Sequence, residues 1–188
     1  MHAHYVDKIE AVLLKQIGEK LVKNGLSVGT AESCTGGRIA SMLASLPECS
    51  DHFIGGIVSY SEEVKKKLLD VPAADIERYG VVSQPVVEEM ARGACRALEC
   101  SCALATSGYA GPEGGSPENP VGTVWMAVAI RDRIYSNRFV FEGDRQEVVQ
   151  QAAWQAFQML LELLGKDSQP DNGPAKEKEN PTGGEKKF

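Results

Sequence analysis

Ser33, Tyr60 and Lys65 are the residues of this chain whose types and surroundings suit covalent chemistry. Ser33 lies within Thr30-Ala31-Glu32-Ser33-Cys34-Thr35-Gly36-Gly37-Arg38, a run of small polar residues with two adjacent glycines. Leu26-Ser27-Val28-Gly29 before it reads as a short strand, and Ile39, Met42, Leu43 and Leu46 after it form a helical stripe up to Pro47. A hydroxyl at a strand-to-helix turn, beside N–H groups that glycine leaves open to a ligand, suits a nucleophile next to an oxyanion hole or an anion cradle. The same residues also suit a Ser/Thr helix cap ahead of a permissive turn. A serine nucleophile needs a base, and His2, His4 and His52 are too scattered to make a histidine triad attractive. Lys65, five residues after Tyr60, can serve if burial or the positive end of a helix lowers its pKa toward neutrality. Tyr60 would then relay a proton or hold the serine hydroxyl in line. Without burial, Lys65-Lys66-Lys67 is a solvated helix face and Tyr60 a strand residue with a wet hydroxyl.

A second region of interest runs from Ser107 to Pro120, with four glycines and three prolines. It matches neither Gly-x-Gly-x-x-Gly nor Gly-x-x-x-x-Gly-Lys-[Ser/Thr], so a standard dinucleotide site or P-loop is disfavoured. A loop this long in a compact domain is ordinarily functional, either restricted by its own residues or acting as a mobile lid. Arg38 and Arg145, each near a helix start, are the cations to consider for a phosphate, or else surface charges. The five cysteines (Cys34, Cys49, Cys95, Cys100 and Cys102) have no metal-site spacing, so reduced and mostly buried thiols are expected. No metal and no cofactor is expected.

The elements that must position these residues are legible from periodicity. Ile9, Val12, Leu13, Ile17 and Leu21 predict a helix from about Tyr5 to Lys23, with Gly25 as its terminator. Phe53 to Tyr60 reads as a second strand, and Ser61-Glu62-Glu63 as a cap leading into Val64 to Leu69. Ser83-Gln84-Pro85 opens a helix with Val86, Val87, Met90, Ala91, Ala94 and Leu98 inward. Cys102 to Thr106 reads as a short buried strand. Val121 to Ile130 and Ile134 to Phe141 predict an antiparallel hairpin across Arg131-Asp132-Arg133. Asp144-Arg145-Gln146-Glu147 is a capping box for a last helix with Val148, Ala152, Ala156, Phe157, Leu160 and Leu164 inward, closed by Gly165. Residues 166–188, rich in Pro, Gly, Lys, Glu and Asn, read as a disordered charged tail. Helices alternating with strands, then a hairpin, predict one α/β domain over 1–165 with a mixed sheet.

Composition narrows the partners. At 188 residues, 43% hydrophobic and 24% charged, the chain has an ordinary globular balance. A formal net charge of −6 argues against broad contact with nucleic acid or an anionic membrane, yet leaves room for a small anion held by local cations. No apolar run approaches the ~18 residues of a membrane span and the N-terminus has no signal-peptide pattern, so a cytoplasmic location is expected.

Several of these stretches together resemble one family. They are Ala31 to Gly37, Val58-Ser59-Tyr60-Ser61 with Lys65, Gly108 with Ala110-Gly111-Pro112 through Gly114-Gly115, Pro117 with Pro120 to Val124, and Gly143-Asp144-Arg145. From roughly Val6 to Leu164 the chain resembles the CinA C-terminal domain family, in its stand-alone form. The resemblance implies a three-layer α/β/α sandwich that tends to form homodimers. It also implies nicotinamide-nucleotide amidohydrolase activity, in which nicotinamide mononucleotide becomes nicotinic acid mononucleotide and ammonia, with a serine nucleophile and no required metal. By position, Ser33 would be the nucleophile, Lys65 its base and Tyr60 the accessory hydroxyl. N–H groups from Ser33 to Gly36 would stabilise the oxyanion. Thr35, Gly36, Gly37, Ser107, Gly108, Ala110, Gly111, Gly114, Gly115 and Arg145 would bind the nucleotide, with Arg145 and the Gly108 to Gly115 loop on its ribose-phosphate. The chain departs from the family's usual residues at Glu62, Ser107, Tyr109, Glu113 and Gln150. Glu62 and Glu113 add negative charge where an anionic substrate would approach. The competing expectations are therefore a non-catalytic nucleotide-binding or regulatory protein, or an amidase for another substrate.

Overall fold

The computed structural model describes the backbone of residues 2–167 and the side chains of 11–166. In chain order the elements are α1 (His2–Lys23), β1 (Val28–Glu32), α2 (Arg38–Ala44), a 3-10 turn (Cys49–Asp51), β2 (Phe53–Val58), α3 (Glu62–Leu69), α4 (Ala73–Tyr79), α5 (Gln84–Ala97), β3 (Cys102–Gly108), β4 (Thr123–Ile130), β5 (Arg133–Val140) and α6 (Arg145–Asp167). The last helix thus passes Gly165 and takes in Lys166 and Asp167. The rest of the expected tail lies outside the described residues.

The five strands form one mixed sheet in the order β2-β1-β3-β4-β5. β2, β1 and β3 run parallel, and β4 and β5 continue as antiparallel neighbours. Side chains sort by the alternation of the pleat. Along β3 and β4, Leu104, Met126 and Val128 face a layer made by α1, α2 and α6, where Ile17, Leu21, Leu43, Phe157 and Leu160 are buried. Ala103, Ala105, Ala127 and Ala129 face the other layer, against Val86, Val87, Met90 and Ala94 of α5 and Leu69 of α3. The expected three-layer α/β/α sandwich is therefore present, with large residues on one face and small ones on the other.

The differences from expectation are local. β1 runs on to Glu32, because a strand buried on both faces need not alternate apolar with polar. β2 ends at Val58, which leaves Tyr60 in the turn before α3. α4 has no counterpart in the periodicity, since Ile76 is the sole buried residue of its seven. Val12 is 57% exposed, and Leu14 takes its inward place. The loop after β3 is tied down rather than free: Gly122 N–H donates to Tyr109 O (2.7 Å), Ser116 N–H to Asn119 O (2.8 Å) and Arg138 Nη2 to Glu118 O (2.7 Å).

Topology gathers the chemistry-bearing residues at one sheet edge. Glu32 pairs with Val58 on one side and Thr106 on the other, so the parallel strands finish level. Ser33, Ser59 and Ser107 therefore lie at or just past the carboxyl ends of three neighbouring strands, where open α/β sheets hold their ligands. Lys65 comes to that edge on α3, whose seat is set by a close approach to α5. A Cβ on Gly93 would stand 2.0 Å from Leu69 O, the last residue of α3. The helix preference of alanine over glycine, about 1 kcal/mol, is smaller than the overpacking cost of about 1–3 kcal/mol for a clash with backbone. Gly93→Ala should therefore destabilise the fold by up to about 2 kcal/mol net and lower Tm by several degrees, read by calorimetry. A melting temperature equal to wild type would show that α3 does not depend on this contact.

Candidate active site

The turn after β1 is built around a carboxylate. Glu32 is fully buried. Its oxygens accept from Thr30 Oγ1 (3.3 Å), Thr35 Oγ1 (2.7 Å) and the N–H groups of Gly37 (3.0 Å), Ile39 (3.1 Å) and Ala40 (2.8 Å). Three of these donors are first-turn amides of α2, which a helix leaves unpaired and partly positive. The N-cap residue, Gly37, has φ +95° and no side chain to cap with. Glu32 does the capping instead, so Ser33 is released from the helix-cap role that its position also suited. Nothing in the periodicity marks Glu32. The available signal was a glutamate just before a helix start, the place where a carboxylate stabilises free N–H groups.

Ser33 Oγ accepts from Lys65 Nζ at 3.1 Å, and the same ammonium donates to Ser59 O at 2.6 Å. Lys65 is 1% exposed. Burial holds its pKa below the ordinary lysine range, and negative charge at Cys34 or Glu62 would raise it. Burial also pushes the Cys34 thiol up to about 12, so that thiol is neutral at pH 7 and Glu62 is the charge left to oppose burial. The hydrogen-bonded side-chain partner of Lys65 is the hydroxyl of Ser33, not the Cys34 thiol.

Ser33 and Lys65 line a cleft of about 310 Å³ together with Cys34, Tyr60, Ser61, Glu62, Val81, Val82, Ser107, Gly108, Tyr109, Ala110 and Arg145. Tyr60 is 62% exposed at its rim. Its hydroxyl accepts from Arg145 Nη2 (3.0 Å), while Arg145 Nη1 donates to Gly111 O (2.8 Å). The tyrosine is thus in the cleft with the serine and lysine but hydrogen-bonded to arginine. Ser107 Oγ donates to Val81 O at 2.7 Å and holds the cleft's far wall.

Other expected site residues lie elsewhere. Thr35 Oγ1 is engaged by Glu32 and by Thr106 Oγ1 (2.7 Å), beneath the turn. Gly36 and Gly37 shape the turn but do not line the cleft, and neither do Gly114 and Gly115, which are exposed on the tied-down loop. Among N–H groups expected for an oxyanion, Ser33 donates to Thr106 O (3.0 Å) and Gly36 to Ser33 O (3.1 Å). The amides of Cys34 and Thr35 remain, neither donating to another described residue. Of the acidic departures, Glu62 lines the cleft and Glu113 does not. Gln150 accepts from Arg38 Nη2 in an adjoining groove that shares Arg145 with the cleft. Val81 and Val82 escaped sequence reasoning because their segment carries no periodic pattern. Among the described residues, no three His, Cys, Asp or Glu side chains converge as a metal site.

Nicotinamide-nucleotide amidohydrolase PncC of Pseudomonas putida is 46% identical over 151 residues, covering 80% of this chain and 94% of that protein. The protein of the same name from Escherichia coli K12 is 44% identical over 149 residues, covering 79% of this chain and 90% of its own. A CinA-like protein of Petrotoga mobilis is 42% identical over 78% of this chain, which spans 36% of that longer protein's length. The crystal structure of a competence-damaged protein (CinA) superfamily member from Klebsiella pneumoniae matches with a TM-score of 0.81 at 37% identity, over 84% of this chain and 98% of its own. The family model for the CinA C-terminal domain matches residues 10–164, and the chain belongs to the CinA C-terminal domain family.

Proposed function

We propose that this chain is an amidohydrolase that deamidates nicotinamide mononucleotide, with Ser33 as nucleophile and Lys65 as its base. The observation that carries the reading is the 3.1 Å approach of a buried lysine to the Ser33 hydroxyl, at the strand ends of a chain 46% identical to a protein named for that activity. Neutral Lys65 has one lone pair and two N–H bonds. With one N–H held by Ser59 O, the lone pair takes the Ser33 proton as Oγ attacks the carboxamide carbon. The oxyanion then faces the amides of Cys34 and Thr35, donors of a kind worth about 3 kcal/mol each in the transition state. Lys65 returns the proton to the leaving nitrogen and ammonia departs. Water, deprotonated by the same lysine, hydrolyses the acyl-enzyme to the acid and free serine. Arg145, whose guanidinium donates to the Tyr60 hydroxyl, receives the ribose-phosphate at the rim.

The functional unit is the domain over 1–165, acting as a homodimer on pyridine-nucleotide recycling in the cytoplasm. No described helix is long and apolar enough to cross a membrane. One observation favours a second reading. Glu62 sets a carboxylate on the cleft wall, where it repels an anionic substrate, so a different amide, or nucleotide binding without turnover, is the alternative.

Ammonia release from nicotinamide mononucleotide, with no metal added, decides between them. Ser33→Ala and Lys65→Met should each lose at least about 10³-fold in kcat with unchanged circular dichroism. A folded wild type that releases no ammonia from this substrate would overturn the reading and favour the second.

The pH dependence carries its own sign. Protonated Lys65 cannot accept the serine proton, so kcat/KM should fall as pH drops through its lowered pKa, about tenfold per pH unit. Glu62 raises that pKa, so Glu62→Gln should move the acidic limb to lower pH and also reduce KM for an anionic nucleotide. A flat profile from about pH 6 to 9, or a limb that Glu62→Gln leaves in place, would count against Lys65 as the base.

A further inference from the structure

Two cysteines meet at the far end of the sheet, where α5 turns into β3. The turn is a Schellman motif, the left-handed stop that closes many helices. Glu99 has φ +49°. Cys100 N–H donates to Cys95 O (3.1 Å) and Glu99 N–H to Arg96 O (3.4 Å). These 6→1 and 5→2 bonds bring together the side chains at the ends of the six-residue loop, ordinarily an apolar pair. Here both ends of the loop are cysteines. Cys95 is half-buried and Cys100 is 7% exposed. Cys100 Sγ is further fixed against Cys102 O (3.1 Å) and the Gly29 backbone of β1.

We infer that Cys95 and Cys100 are a redox modification site, closing to a disulfide across the α5 C-cap when the protein meets a hydroperoxide. The Cys100 thiolate attacks the peroxide's distal oxygen, giving a sulfenic acid and releasing water or an alcohol. The Cys95 sulfur then attacks the sulfenic sulfur, and hydroxide leaves with the Cys95 proton as water. Two thiols lose two electrons and the peroxide gains them. The neighbouring thiol holds Cys100 below the ordinary thiol range and raises Cys95, which makes Cys100 the attacking sulfur. The Cys100 N–H to Cys95 O bond already closes this turn, so a disulfide would staple the left-handed Glu99 turn. The inference does not depend on what the cleft at the opposite end of the sheet binds.

Trypsin separates the pair, because Arg96 lies between the two cysteines and leaves peptides 93–96 and 97–131. Native full-length protein treated with hydrogen peroxide, alkylated and digested without reductant should yield these two peptides joined and lighter by two hydrogens. The joined species should form in wild type and Cys102→Ser, be absent in Cys95→Ser and Cys100→Ser, and disappear on thiol reduction. Amide exchange at Glu99 and Cys100 should slow in the oxidised protein. Alkylation of both thiols after peroxide would overturn the proposal. So would conversion of Cys95 alone to a sulfinic or sulfonic acid, or a link that survives Cys100→Ser.

Discussion

The buried carboxylate of Glu32 is the interaction on which the rest of the site depends. Removing an ion of this size from water costs several kcal/mol unless its oxygens are satisfied, and five donors satisfy them here. Three of those donors are the unpaired amides of α2, so one group answers two penalties, the charge's desolvation and the helix's open end. The geometric result is an abrupt change of direction between Glu32 and Gly37. Ser33 sits at the start of that turn, its amide anchored to Thr106 O and its hydroxyl left for another partner.

The partner is a lysine whose burial is tolerable for the opposite reason. Glu32 is surrounded by donors, whereas Lys65 finds, among the described residues, only a serine hydroxyl and one carbonyl. With no carboxylate at hydrogen-bonding distance, burial lowers its pKa instead of being offset by an ion pair. Position, not charge pairing, holds it there. α3 is capped at Ser61 and pressed onto α5 at Gly93, and those contacts fix the backbone from which the side chain reaches the cleft. A buried lysine of this kind comes from packing two helices closely.

Much of this organisation was legible in the residues, and the parts that were not share a cause. The capping box was readable because it is local: Asp144 Oδ1 accepts from Glu147 N–H and Glu147 Oε2 from Asp144 N–H. So were the Ser61 cap and the β4–β5 hairpin. Periodicity failed at β1, where Thr30 and Glu32 are polar and wholly buried, because their partners lie in the following turn and cannot be seen from alternation. It failed also at α4, which contributes too little core to show a stripe. At the site, residue types singled out Ser33 and Lys65, but the Tyr60–Arg145 pairing joins residues 85 apart. Gly114 and Gly115 drew attention by composition, whereas the structure uses them to turn a loop whose wall-forming residues are Gly108, Tyr109 and Ala110.

Glu62 shows how the cleft's demands conflict. It stands in the first turn of α3, where a carboxylate favours the helix, and on the wall of a cleft proposed to take an anion. Its field raises the pKa of the lysine that burial lowers, so it narrows the pH range in which that lysine is neutral. Arg145 lies on the same cleft with its charge turned toward Tyr60 and Gly111 O, and neither of these partners is anionic in that pairing. The guanidinium therefore keeps its full charge for a ligand, while the carboxylate opposite limits which ligands gain from it. On the proposed reading, selectivity in this cleft would rest on reach: a phosphate would meet Arg145 at the rim while its carboxamide met Ser33 inside, and a shorter anion would have the repulsion from Glu62 without the attraction.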